Sequence, residues 1–356
     1  MTDSLRTKCE LFERNRSAIS KKFIFEKDLM NIAAGLVFTG ADKEADIDKL
    51  IECRSILKKH TGFFSEYRET VKLALLSEMA LTGDPEQYIE DVKDVYKKLH
   101  KGHFRDNSYM VLAAMLLCDF GRQNDADAII EKHNEILQRM NKLHPVLTDS
   151  ADISYVIILA LSDRSADTII EDMTICLDYL KKELKIKISS DSIQGLSEIL
   201  ALTDGDIREK CDSVMKIYHT LKENKAEIDG SAFSALAMLI GISEPPEVIA
   251  GEIKEADKFL KSCKLFKDKE SENKGKRLMF AELLVASSYG TGSPMINNAF
   301  VNTALSVIKA QQIAAMISVF ANVLSGILGA VADKKVLKRA TMNQNSRRAV
   351  NLKLNR

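Results

Sequence analysis

YMVLAAMLLCDFGRQNDADAIIEKHNEILQRM, residues 109–140, holds two kinds of segment on either side of a polar joint. Residues 109–118 are apolar almost without interruption. Residues 129–140 instead place Ile129, Ile130, Ile136, Leu137 and Met140 on one stripe, with charged residues between them. Steps of three and four are the signature of an amphipathic helix. The apolar run is ambiguous by period alone, because a short buried strand reads the same way. Its length, its Ala, Leu and Met content and its helical partner decide for a helix.

The same pair recurs along the chain. Apolar runs stand at LMNIAAGLVF (29–38), VKLALLSEMAL (71–81), ISYVIILAL (153–161), IQGLSEILAL (193–202), FSALAMLIGI (233–242) and LMFAELLVAS (278–287). Amphipathic partners stand at YIEDVKDVYKKL (88–99), CLDYLKKEL (176–184), VMKIYHTLKEN (214–224) and IKEADKFLKS (253–262). The last apolar anchors of the amphipathic segments are Leu57, Leu99, Met140, Leu180, Leu221 and Leu260, at intervals of 42, 41, 40, 41 and 39 residues. An internal period of this size marks a repeat architecture.

The joints carry helix-start chemistry. All five prolines, Pro85, Pro145, Pro245, Pro246 and Pro294, fall between predicted elements. In TGDPEQ, Asp84 is placed to cap and Pro85 to take the first helical position, where its missing N–H costs nothing. SEPPE around Glu244 and Pro245 repeats the arrangement, and Ser165, Asp206 and Asn124 or Asp125 stand in the capping role elsewhere. The expectation is an all-α, two-layer α-solenoid of about seven helical hairpins, with apolar helices inside and amphipathic ones outside. A ring closed toward an α/α toroid is the variant. A period near 41 residues lies in the HEAT and armadillo range, and the chain has no Trp for a tetratricopeptide pattern.

KDLMNIAAGLVFTG (27–40), TGFFSEYRETVKLALLS (61–77), KLHPVLTDSADISYVIILALSD (142–163), GLSEILALTDGDIREKC (195–211) and GKRLMFAELLVAS (275–287) resemble the bacterial family catalogued as domain of unknown function 4003. The likeness covers roughly residues 20–315. It implies an all-helical protein of Firmicutes and brings no activity, cofactor or catalytic residue with it.

Composition narrows the function classes. Hydrophobic residues make up 46% and charged residues 29%, as in a packed globular chain. Lys+Arg and Asp+Glu balance at 51 each, so a nucleic-acid footprint is not expected. Cys9, Cys53, Cys118, Cys176, Cys211 and Cys263 form no CxxC pair and read as reduced thiols of a cytoplasmic protein. The N-terminus is charged from the start, without the apolar stretch of a secretory signal.

No cluster reads as an active site, and neither catalytic residues, a cofactor nor a metal is expected. His100 and His103 in HKGH are a close pair without further ligands at zinc spacing, and read as loop residues. His144 opens a similar loop beside Pro145. Asp42, Glu44, Asp46 and Asp48 alternate like a calcium loop but lack its central Gly and closing Glu. They read as a joint, with Asp46 or Asp48 at a helix start. GTGS at 290–293 reads as a turn before Pro294. Phosphate-loop, dinucleotide and nucleophile-elbow motifs are absent from the sequence, as is DDxxD. Aromatic residues at 6% are too few for a sugar-stacking toroid.

The C-terminus departs from the repeat. Residues 313–332, IAAMISVFANVLSGILGAVA, carry no charge and are long enough to span a bilayer. The tail after them has a net charge of +7. A span would put either the body or this tail on the side that positive-inside bias disfavours. A cap on the last repeat's open apolar face is the simpler use. The expected organisation is an N-terminal helix or arm at 1–23, the array at 24–290, capping helices at 291–332 and a disordered basic tail at 333–356. Lys334, Lys335, Lys338, Arg339, Arg347 and Arg348 are the candidate contacts to a membrane or another anionic surface.

Three functions are open on this reading. A scaffold would bind a protein or peptide partner along the solenoid. A membrane-associated factor at the cytoplasmic face would use 313–356. An all-α enzyme or small-ligand binder would use an internal cavity.

Overall fold

A computed structural model describes residues 1–24, 28–61, 67, 71–101, 108–143, 152–184, 188–202, 205–240, 242–263 and 274–289. Among the described residues fourteen α-helices and two 3-10 turns make up the regular structure, so the chain is all-α. Seven helices are amphipathic: α1 (Asp3–Lys22), α3 (Ile47–His60), α5 (Pro85–His100), α7 (Ala126–Leu143), α9 (Ala166–Leu184), α11 (Ile207–Glu223) and α13 (Pro246–Ser262). Seven apolar ones alternate with them: α2 (Asp28–Gly40), α4 (Lys72–Leu81), α6 (Ser108–Asp119), α8 (Asp152–Leu161), α10 (Ser190–Leu200), α12 (Gly230–Ala235) and α14 (Lys274–Tyr289). A 3-10 turn at Gln123–Asp125 leads into α7, and another at Leu236–Leu239 extends α12.

Contacts follow chain order in two layers. Among the apolar helices α2 packs on α4, and α6, α8, α10, α12 and α14 pack in succession, with α5 joining α4 to α6, while the amphipathic helices pack in sequence from α3 to α13. The first helix completes both ends. Helix α1 packs on α2 and α3 and also on α13 and α14. Across that seam the Ser4 hydroxyl donates to the Ser288 carbonyl at 2.8 Å, 284 residues away in the chain. The Met1 amino group pairs with Glu255 of α13. The hairpins therefore form a closed ring, and one apolar core runs from Leu5 through Val285.

Each end of the helices is finished differently in the two layers. Every amphipathic helix starts with an acidic residue in its first turn and ends with a basic one in its last. That order complements the helix dipole. It also links neighbours: Lys59 and His60 at the end of α3 reach Glu86 and Glu90 of α5. Lys98 of α5 meets Asp127 of α7 at 2.8 Å, and Arg139 of α7 meets Asp167 of α9. Each such exposed pair contributes about 0–1 kcal/mol, so their use is in fixing how successive helices lie.

The apolar helices carry no base in their last turns. Several borrow one for their orphan carbonyls. Lys8 of α1 donates to the Thr39 carbonyl at 3.2 Å, Lys132 of α7 to that of Ser162 at 2.6 Å, and Lys210 of α11 to that of Leu200 at 3.0 Å. Arg164 donates to the Ala201 carbonyl at 2.7 Å.

The starts follow the sequence closely. Asp46 accepts from the Lys49 amide at 2.9 Å, Asp84 from Gln87 at 3.0 Å, and Ser165 from Thr168 at 3.1 Å. Asp206 accepts from the amides of Arg208 and Glu209. Two joints differ. At α13, Pro245 itself is the capping residue, with no side-chain bond, and Pro246 opens the helix. Before α7, Asn124 and Asp125 lie in the 3-10 turn, with Asp125 paired to Arg122 at 2.8 Å.

Residues 1–22 do more than flank the array. Helix α1 is the seventh amphipathic helix and buries Leu5, Cys9, Phe12 and Ile19. Its approach to α2 is close: a Cβ on Gly35 would stand 3.2 Å from the Arg16 backbone nitrogen. Five of the six cysteines are buried and Cys118 is half-buried, all as free thiols. The Cys211 and Cys176 sulfurs of neighbouring helices lie 3.3 Å apart. Among the described residues, no helix is long and apolar enough to cross a membrane. The segment 313–332 and the tail after it lie outside those residues.

Candidate functional site

A cavity of about 480 Å³ opens between the inner helices on the two sides of the α1 seam. Its walls come from the C-terminal ends of α2, α4, α6 and α14, the 3-10 turn at Met238, and the start of α5. Leu36, Val37, Leu81, Met238, Leu283 and Leu284 make most of it apolar. The polar groups are few: Thr39, Thr82, Glu78, Asp119, Tyr88 and Ser287, with Lys43 exposed at the rim. An apolar hollow with a small number of convergent polar groups is the usual form of a ligand site.

The local fold explains how these groups arrive together. Asp84 and Pro85 start α5 so that Tyr88 falls in its first turn. There the phenol donates to Asp119 Oδ1, the last residue of α6, at 2.6 Å. Burial first, then the Asp119 and Glu78 carboxylates, push the Tyr88 phenol well above its ordinary pKa. It stays protonated and acts as a donor. Burial and Asp119 likewise push the Cys118 thiol up, which removes it as a thiolate nucleophile. On the far wall, the buried Ser287 hydroxyl has no hydrogen-bond partner among the described residues. The polar groups on the wall are thus two carboxyl side chains, a phenol whose proton is given to one of them, and a hydroxyl that can donate or accept.

A second polar cluster lies between α13 and α14. Arg277 grips Asp257 through two bonds of 2.7 and 3.2 Å, and Tyr289 donates to Glu252 at 2.7 Å. Between them Glu282 is fully buried, and neither of its carboxylate oxygens has a partner among the described residues. Burial, with Asp229 and Asp257 nearby, pushes its pKa well above the carboxylate range, so it is a neutral acid.

The residues singled out from sequence fall elsewhere. His100 ends α5 and stacks on Tyr96 at 5.6 Å, while His103, His144 and 290–293 lie outside the described residues. Asp42 pairs with Lys8 at a left-handed backbone position, φ 55°. Lys334, Lys335, Lys338, Arg339, Arg347 and Arg348 also lie outside the described residues. No group of three His, Cys, Asp or Glu side chains is placed to hold a metal among those described.

The cavity residues were missed because they come from five helices and a 3-10 turn spread between Leu36 and Ser287. One signal was available. Glu78, Glu198 and Glu282 each interrupt an otherwise apolar run, in LLSEMAL, GLSEILAL and MFAELLVA. All three lie on the inner layer, where a charge is costly and asks for a reason.

Residues 15–313 match the family model described as "Protein of unknown function (DUF4003)", and the chain belongs to that family. Comparison with curated proteins found no match. Comparison with solved structures found none either.

Proposed function

We propose that this DUF4003 protein binds a small organic molecule in the cavity at the centre of its helical ring. The observation that carries the reading is the hollow itself, about 480 Å³ and apolar, with Glu78, Tyr88, Asp119 and Ser287 on its wall. That volume falls in the range of roughly 300–1,000 Å³ typical of small-molecule sites. The protonated states of Tyr88 and Cys118 favour holding a ligand over attacking one. Closure of the ring bears on the scaffold reading. The inner helices are spent on one another and on the core, so a peptide or protein partner would have to use the outer layer.

The test is an uncharged naphthalene dye whose emission rises in apolar surroundings, titrated into the full chain. Saturable binding at one dye per chain is the expected result. Ala286→Trp, from the α14 wall, should abolish it by filling the space, and Thr82→Trp should do the same from the α4 side. Saturable dye binding that survives both substitutions would place the ligand elsewhere.

A further inference from the structure

We propose that Cys176 and Cys211 are an oxidisable pair, which a hydroperoxide joins into a disulfide that ties α9 to α11. The proposal does not rest on the cavity reading, because no residue of α9, α10 or α11 is among the described residues lining that hollow.

Geometry carries it. Cys176 and Cys211 stand where α9 and α11 pack on each other, and their sulfurs are 3.3 Å apart. A disulfide needs about 2.05 Å between sulfurs, so roughly 1.3 Å remains to be closed. Rotation about the two Cα–Cβ bonds supplies a movement of that size without shifting either helix. Both side chains are fully buried, and both are free thiols. Packing alone would be served by any small apolar side chain at either position. Two thiols in contact, one from each of two neighbouring helices, add a reaction that such a pair lacks.

The local chemistry sets the order of events. The Cys211 thiol donates to the Cys176 sulfur, and that contact, then burial, push the Cys176 thiol well above its ordinary pKa. Cys176 therefore stays protonated and is the slower of the two to attack an oxidant. Cys211 reacts first. Its sulfur attacks one oxygen of the hydroperoxide, the O–O bond breaks, and the thiol proton leaves with the other oxygen as an alcohol, or as water from hydrogen peroxide. Cys211 is then a sulfenic acid. The Cys176 sulfur attacks it: the S–S bond forms, the S–O bond breaks, and hydroxide departs with the Cys176 proton as water. Two thiols are oxidised and one peroxide bond is reduced. Hydrogen peroxide is scarcely larger than water and reaches a buried pair through the local openings of a folded chain.

The bond would close a loop of 35 residues that contains the whole of α10. Both α9 and α11 pack on α10, so the disulfide would fix three helices of the ring as one unit. A cross-link over such a loop restricts the unfolded chain, which predicts a melting temperature higher by about 5 °C in the oxidised protein.

The test treats the full folded chain with hydrogen peroxide, then alkylates the remaining thiols in urea and maps the peptides by mass. The expected product is a chain lighter by two hydrogens, with Cys176 and Cys211 linked, the other cysteines alkylated and the melting temperature raised. Dithiothreitol should restore all six thiols and the original melting temperature. Cys211→Ser preserves the volume of the site and should abolish both the bond and the shift, and Cys176→Ser stands in if that variant fails to fold. Six free thiols after peroxide, with the melting temperature unchanged, overturn the proposal and leave the pair as packing alone. A disulfide mapped to other cysteines, or sulfinic acid at either position without the bond, overturns it as well.

Discussion

Glu282 shows what a single side chain contributes when it is placed against expectation. Its carboxyl is fully buried and unpartnered among the described residues, so the folded chain keeps a proton there. The unfolded chain releases that proton above about pH 4.3. The folded state then binds more protons than the unfolded one, and stability falls as pH rises through the window between the two pKa values. The full contribution is present below the unfolded value. In Glu282→Gln the slope should disappear, with the variant gaining on the parent by up to about 1.4 kcal/mol per pH unit across that window. Urea unfolding at pH 5 and pH 8 measures this, and an identical pH slope for both proteins would refute the assignment.

Among the elements, the helices and their layers were legible because one force writes both patterns. An inner helix is covered on most sides and reads as an apolar run, while an outer one is covered on one side and reads as a stripe. Caps were legible too, since Asp84 and Pro85 satisfy local backbone requirements. Asp84→Ala should cost about 1 kcal/mol, within roughly 0.5–2, and lower the melting temperature without loss of helix content by circular dichroism. No change in the melting temperature would mean the cap bond is not formed in solution.

Helix α1 reads as an arm because its buried face mixes Lys8, Asn15 and Arg16 with the apolar residues. Lys8 is spent on the Thr39 carbonyl and the Asp42 carboxylate, and Asn15 bonds the Lys43 carbonyl at 3.0 Å and the Ala45 amide at 2.8 Å. Those polar side chains hold the joint between α2 and α3, and they hide the stripe of Leu5, Cys9, Phe12 and Ile19. The cavity was hidden for another reason. Its polar residues are ordinary within each helix and acquire meaning only when ring closure brings α4, α6 and α14 face to face.

At the scale of the whole molecule, closure determines what the fold can do. An open array offers a groove to an extended partner, whereas a closed one offers a hollow to a small one. The contacts of α1 with α13 and α14 make the difference, and they join residues nearly 300 positions apart. The most direct test is therefore a cross-link across that seam. Cysteines introduced as Ser4→Cys and Ser288→Cys should form a disulfide under mild oxidation, identified by peptide mass mapping. Ser192→Cys with Ser234→Cys is the control, because Ser234 bonds the Ser192 carbonyl at 2.9 Å between neighbouring inner helices. Efficient cross-linking of both pairs is the result a closed ring predicts. A control that links while the Ser4 and Ser288 positions do not would contradict closure, and with it the central cavity.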